Sequence, residues 1–262
     1  MIPIVAEVTV TDTGAIGAYR QLTYRHAELA RATRPGQFVN VAPADRCGWI
    51  RMPFSVAWTD PIEQTSTIVF DPIGVGTQWL AELAAGDAIS VVAPLGHGYE
   101  IHPTTGTDLL VGGGYGTAAL VGLAEALAER GRTVHTLLGA RTADRLCELP
   151  RLDAASGSVT RVTDDGSAGS RGIVTDVLDA LVAEHGVATI FACGPNPMLA
   201  ALATAGRRLR VATQLAVEEY MACGIGVCWT CVIPTRDGEA EPRHERACTE
   251  GPVFDGARLA WA

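Results

Sequence analysis

Four cysteines crowd the end of this chain, and their spacing constrains its fold more than any other feature. Cys223, Cys228 and Cys231 form a C-x4-C-x2-C run, and sixteen residues separate Cys231 from Cys248. A tight loop carrying three thiolates must therefore meet a fourth from a separate segment, which is the spacing of plant-type [2Fe-2S] sites. Gly224 and Gly226 suit such a loop, because glycine reaches positive φ and lets backbone N–H groups approach sulfur. Zinc is the competing reading. It usually recruits two C-x2-C pairs or a pair with spaced histidines, whereas here there is one pair and His244 stands alone. The other cysteines, Cys47, Cys147 and Cys193, are isolated. In a reducing compartment an odd total argues against a disulfide framework and for a metal site plus stray thiols.

The residues before 214 divide into two textures. Residues 1–101 read as short strands, among them Ile4–Val10, Thr67–Phe70 and Ala88–Val92. Turns such as Arg34-Pro35-Gly36 and Pro94-Leu95-Gly96 separate them, with one helix around Thr77–Ala84. That pattern predicts a small antiparallel barrel or sandwich. A polar link at residues 102–107 follows, and strands then alternate with helices. The strands expected are Leu109–Val111, Thr133–Leu138, Val159–Val162 and Thr189–Ala192. The helices expected are Thr117–Arg130, Gly172–Glu184 and Pro197–Ala205. This predicts a parallel α/β domain over 102–213, with a small cysteine-bearing domain over 214–262.

Composition removes several function classes. With 20 basic against 29 acidic residues the net charge is -9, which disfavours nucleic-acid and anionic-membrane surfaces. Every basic residue is Arg, so Schiff-base, pyridoxal-phosphate and P-loop lysine chemistry are excluded. The N-terminus lacks a basic leader, and the uncharged run Leu109–Ala124 is too short and glycine-rich to span a bilayer. The expectation is a soluble cytoplasmic protein. From Gln214 onward eight acids face four arginines, which would suit a partner with a basic docking face.

Three further segments carry binding chemistry. Gly112, Gly113, Gly114 and Gly116 lie between a strand and a helix, where a backbone can approach a pyrophosphate on the helix N-terminus. Cys193-Gly194-Pro195 ends another strand, and the carboxyl ends of parallel strands are where ligands bind. Asp164 and Asp165 follow a third strand; they could receive ribose hydroxyls and would repel a 2′-phosphate, which favours NADH over NADPH. In the β-rich half, Arg51, Pro53, Phe54 and Ser55 place a guanidinium, an aromatic and a hydroxyl where a flavin and its phosphates could be gripped. Each segment also has a plain structural reading, as a packing glycine turn, a buried cysteine, an Asp-Gly turn or an ordinary strand.

Together these segments resemble the electron-transfer subunits of class 1B dihydroorotate dehydrogenases, in the ferredoxin–NADP reductase superfamily. The resemblance runs through nearly the whole chain. It is carried by Arg34-Pro-Gly-Gln-Phe38, Met52-Pro-Phe-Ser55, Gly74-Val-Gly-Thr77, Val111-Gly-Gly-Gly-Tyr-Gly116, Ala192-Cys-Gly-Pro195, Glu218–Cys228 and Cys248-Thr-Glu-Gly-Pro-Val-Phe254. It implies a six-stranded flavin barrel, an NAD domain and a [2Fe-2S] domain whose ligands are the four clustered cysteines. FAD would be held by Pro53-Phe54-Ser55, by Val69-Phe70-Asp71 and by Gly76-Thr77, with Cys193 lining the nicotinamide site. Where the family carries Arg before the proline, this chain has Met52, and Arg51 sits one residue earlier. On a strand that shift reverses the face. Likewise Ala119 stands for a common proline, and His97 and Tyr99 for Asn and Phe.

The function implied is a redox relay among NAD(H), FAD, the cluster and a partner. In this family the partner is an FMN-containing catalytic subunit that oxidises dihydroorotate in pyrimidine biosynthesis. The complex is a heterotetramer, and electrons flow from FMN toward NAD+. Two alternatives remain open at this point. The chain could be a reductase component for another client, such as an oxygenase or hydrogenase-like complex, or a flavin-less iron–sulfur redox sensor.

Overall fold

The computed structural model describes residues 2–103, 106–238 and 240–261, without the side chain of Arg46. Thr104 and Thr105 of the expected link, and Glu239 among the C-terminal acids, lie outside the described residues. Six antiparallel strands open the chain: β1 (Ile4–Ile16), β2 (Tyr19–Arg25), β3 (Phe38–Val41), β4 (Met52–Asp60), β5 (Thr65–Phe70) and β6 (Ala88–Leu95). They close in the order β1-β2-β5-β4-β3-β6. Alternation decides what faces inward: Val39 and Val41 of β3 join Leu22, Tyr24, Ile68 and Val91 in the barrel core, while Phe38 and Asn40 face out. Helices α1 (Ala27–Ala32) and α2 (Val75–Glu82) plug the gaps. The expected helix near Thr77 is α2; α1 has only six residues, too few for a periodic signal in sequence.

The second half alternates strand and helix: β7 (Thr107–Gly113), α3 (Val121–Ala128), β8 (Val134–Ala140), α4 (Pro150–Ala155), β9 (Ser158–Thr163), β10 (Ser170–Arg171), α5 (Val174–His185), β11 (Val187–Cys193), α6 (Asn196–Leu209) and β12 (Ala212–Ala216). The hairpin β13 (Val232–Thr235) and β14 (Arg243–Arg246) follows, and then β15 (Val253–Asp255). The larger sheet has the order β10-β9-β8-β7-β11-β12-β15, all parallel except β15 against β12. The chain beyond 213 therefore contributes an edge strand to the α/β sheet. The expected helix from Thr117 begins instead as a 3₁₀ turn over Gly114–Leu120. Any side chain at Gly112 would collide with Thr117, so the turn folds tightly onto the strand end.

Several bonds weld barrel to sheet. Tyr99 donates its hydroxyl to the Ala192 carbonyl at 3.0 Å and packs edge-on against Phe191. Tyr19 donates to the Arg145 carbonyl at 2.8 Å, and the Arg145 guanidinium pairs with Asp71 at 2.5 Å. Because the strand order reverses between β7 and β11, the loops after these two strands diverge and leave a crevice there. No helix among the described residues is long and apolar enough to cross a membrane.

Candidate functional site

The cysteine loop is organised around Cys223. Its Sγ lies 3.5 Å from the backbone N–H of Ile225, 3.3 Å from that of Val227 and 3.4 Å from that of Cys228. Gly224 at φ 71° and Gly226 at φ 81° turn those N–H groups inward. Thr230 donates its hydroxyl to Cys228 Sγ at 3.2 Å, and this bond above all draws the Cys228 thiol down to about 6. Cys231 and Cys248 are buried and in contact with each other; burial pushes the Cys248 thiol up to about 12. Thus the cysteines stand as two neighbouring pairs, Cys223 with Cys228 and Cys231 with Cys248. Among the described residues no three His, Cys, Asp or Glu side chains converge as a single ion requires. Two pairs suit two tetrahedral irons, each completed by shared sulfides, better than one zinc. Backbone donors already aimed at sulfur complete the fit.

Two cavities lie beside this loop. The smaller, about 170 Å³, is walled by Pro53, Phe54, Ser55 and Val69 of the barrel. Gly116 and Cys193 of the sheet, and Glu218, Glu219 and Met221 of the segment leading to the cysteines, complete it. The larger, about 680 Å³, runs along the crevice at β7 and β11 and is lined by Asp71, Gly113, Gly114, Asp164 and Pro195. Tyr115 and Glu218 line both. A shallow flavin ring in the first and an extended dinucleotide in the second match these shapes and linings.

Not every residue singled out from the sequence reaches these cavities. Arg51 lines neither; its guanidinium donates to the carbonyls of Asn40 and Ser90 and to the Ser90 hydroxyl at 3.0 Å. Phe70 is a barrel-core side chain against Phe54. Thr77 caps its own helix through Gly74, and the Met52 thioether occupies the space beside Gly76. Asp165 accepts from the Ser167 backbone and hydroxyl, so of the two acids only Asp164 reaches the crevice. Gly112 and Gly194 are close-approach positions: a Cβ on Gly194 would stand 2.9 Å from the Gly113 Cα. Likewise a Cβ on Gly116 would stand 2.8 Å from the Cys193 carbonyl. These glycines press the two strand ends together and so set Cys193 in the wall. Burial pushes the Cys193 thiol well up, so it stands there as a neutral S–H.

Comparison with known proteins accords with this geometry. Residues 218–260 match the model of the iron–sulfur cluster binding domain of dihydroorotate dehydrogenase B, and residues 110–204 match the oxidoreductase NAD-binding domain. The chain is 38% identical over 239 residues to the dihydroorotate dehydrogenase B (NAD(+)) electron transfer subunit of Geobacillus kaustophilus, covering 89% of this chain and 90% of that one. The corresponding subunit of Lysinibacillus sphaericus is also 38% identical, with 90% of each covered. The chain belongs to the dihydroorotate dehydrogenase B electron transfer subunits. As a member of that family it is an NAD-linked oxidoreductase carrying FAD and a [2Fe-2S] cluster. Among solved structures, an NADH-dependent reduced ferredoxin–NADP oxidoreductase superposes with a TM-score of 0.86 at 32% identity, covering 98% of this chain and 90% of that one. An Amycolatopsis cytochrome P450 reductase gives 0.63 at 28% identity, covering 79% and 67%.

In this family member's site Asn40 and Asn196 carry no sequence signal of their own, whereas Tyr115, Glu218 and Glu219 lie within motifs already named. Glu218 and Glu219 are held by Asn196, whose amide donates to the Glu218 carbonyl at 3.1 Å and to Glu219 Oε1 at 3.2 Å. Tyr115 donates to Glu218 Oε2 at 3.4 Å. Burial raises both carboxyls above their ordinary range. Asn40 is fully buried against Gly224, and its side-chain amide has no hydrogen-bond partner among the described residues. A buried amide left so costs about 1–3 kcal/mol.

Proposed function

We propose that this chain relays electrons between NAD(H) and a catalytic partner that oxidises dihydroorotate in cytoplasmic pyrimidine biosynthesis. Its units are residues 1–101 for FAD, 102–213 for NAD(H) and 214–262 for the cluster. The observation that carries this reading is the smaller cavity, whose walls come from all three units. Bound there, a flavin supplies exchange between two-electron hydride chemistry and one-electron transfer to the cluster.

The chain's own residues do the positioning. Pro53, Phe54 and Ser55 wall the cavity from the barrel side and Cys193 from the opposite side. Gly113, Gly114 and Pro195 offer the backbone for a dinucleotide, and Asp164 the carboxylate for its ribose. Arg51 is bound within the barrel, so its guanidinium is not the group that would meet a flavin pyrophosphate. Cys223, Cys228, Cys231 and Cys248 hold the cluster.

The docking face includes apolar side chains beside its acids. Ile225, Val227 and Trp229 on the cysteine loop, with Tyr220 before it, are exposed. Many C-terminal acids are spent internally: Arg258 pairs with Asp237 and Glu245, and Arg246 with Glu250. The partner proposed is an FMN-containing catalytic subunit, in a heterotetramer. An anaerobic visible spectrum of the purified chain, before and after NADH, tests the relay. Flavin and cluster bands that both bleach support it; a cluster without flavin, indifferent to NADH, overturns it. Co-purification with a dihydroorotate-oxidising subunit tests the client, and an oxygenase in its place overturns that part.

A further inference from the structure

Asn40 lies at the seam between barrel and cysteine loop. On β3 it stands opposite Pro53 of β4 on one side and Val92 of β6 on the other. Its side chain points out of the barrel, toward the core that contains Cys231 and Cys248. It is fully excluded from solvent, and both Oδ1 and Nδ2 lack a partner. A side chain on Gly224 would come within 2.6 Å of Asn40 Nδ2 and 3.2 Å of Leu95 Cδ1, so the amide lies against the backbone next to Cys223. The N–H groups at Ile225, Val227 and Cys228 already point at the Cys223 sulfur from within the loop. Asn40 approaches the same loop from the barrel. Buried polar groups are nearly always paired, and hydrogen bonds to cluster sulfur raise its reduction potential.

We propose that the Asn40 side-chain amide donates a hydrogen bond to sulfur of the [2Fe-2S] site, from the barrel side of the Cys223 loop, and so sets the potential at which the cluster takes its electron. The inference rests on the iron–sulfur reading. Asn40 acts through the sulfur and is a positioning and tuning residue. It lines neither cavity, so hydride transfer does not depend on it.

The test is Asn40→Leu in the full chain with FAD and cluster loaded. Leucine keeps the branched shape and removes the donor, though its methyls take more room than the amide. Replacing an unpaired buried amide leaves stability equal or higher if packing is all that Asn40 does. The cluster midpoint is read by redox titration followed by electron paramagnetic resonance, beside iron and sulfide content and the melting temperature. The expected result is a full cluster, unchanged flavin reduction by NADH, and a midpoint shifted to lower potential. An unchanged midpoint with a full cluster overturns the proposal. Should Asn40→Leu fail to load iron, the wild-type chain decides. It has two asparagines, Asn40 and Asn196, so [15N-amide]asparagine labelling reports on few sites. A 15N coupling to the reduced cluster that persists in Asn196→Asp supports the bond, and no coupling overturns it. A wild-type chain that binds no [2Fe-2S] cluster would sink the iron–sulfur reading itself, a different outcome from a cluster indifferent to Asn40.

Discussion

Arg246 reaches back over twenty residues to donate from Nη1 to the carbonyl of Gly226 at 2.9 Å. The same guanidinium holds Glu250 through Nε at 3.0 Å and Nη2 at 2.6 Å, and lies over the Trp229 ring at 5.0 Å. Its bonds draw the Glu250 carboxyl down to about 2. One side chain therefore ties the three-cysteine loop to the segment carrying Cys248. Arg246→Ala loses these charged bonds, which lie at the surface and brace the loop more than the fold. The chain should still fold, because the site is at the surface, but iron should leave it several-fold faster. Cluster absorbance followed against a chelator checks this.

Cys193→Ala removes a sulfur from the wall of the smaller cavity without touching the cysteine loop. Hydride transfer is sensitive to small misplacements, so flavin reduction by NADH should slow roughly tenfold. The cluster spectrum should not change. Stopped-flow absorbance at the flavin and cluster bands separates the two, and unaltered flavin reduction would remove Cys193 from the site.

Glu218 adds a pH dependence of known sign. Burial raises its folded-state pKa, so the folded chain binds that proton more tightly than the unfolded chain. The stability it contributes is fully present below the ordinary carboxylate range and is lost as pH rises through the raised value. Glu218→Gln, facing Tyr115 and Cys193 as before, should flatten the fall in melting temperature above that range. A parallel fall in both proteins would contradict the assignment.

Asp108 and Arg132 form a buried pair at 2.7 Å at the opposite end of β7. Burial holds the Asp108 carboxyl up at about 6 even with Arg132 beside it. Arg132→Ala would leave it alone and should cost about 3–5 kcal/mol. Without the guanidinium the carboxyl rises further, and its stability is lost as pH rises through that value. The deficit in urea unfolding should therefore be largest at pH 8 and shrink toward pH 5.

Asp164 is the acid that faces the crevice, beside Arg141. Asp164→Ala removes a ribose acceptor and the charge that repels a 2′-phosphate. The preference for NADH over NADPH, read as a ratio of kcat/KM, should fall about tenfold, equivalent to about 1.4 kcal/mol. An unchanged ratio would place the adenosine ribose elsewhere.

Local chemistry settled much of this protein in advance. The C-x4-C-x2-C run with its two glycines fixes a sulfur-lined loop, because thiolate spacing and positive φ are properties of neighbouring residues. Strand periodicity and punctuation likewise separate a β-rich half from an alternating half. Tertiary structure alone decided the rest. Arg51 has the right chemistry in the right segment, yet its guanidinium is taken by Ser90 of another strand. Which partner a side chain finds depends on the register of strands far apart in sequence. Glu218 becomes a wall of two cavities because Asn196 holds its backbone, and Asn40 meets Gly224 because β3 and the cysteine loop share a core. Contacts across such sequence distances are set by closure of the barrel and packing of the sheet, which no local pattern encodes.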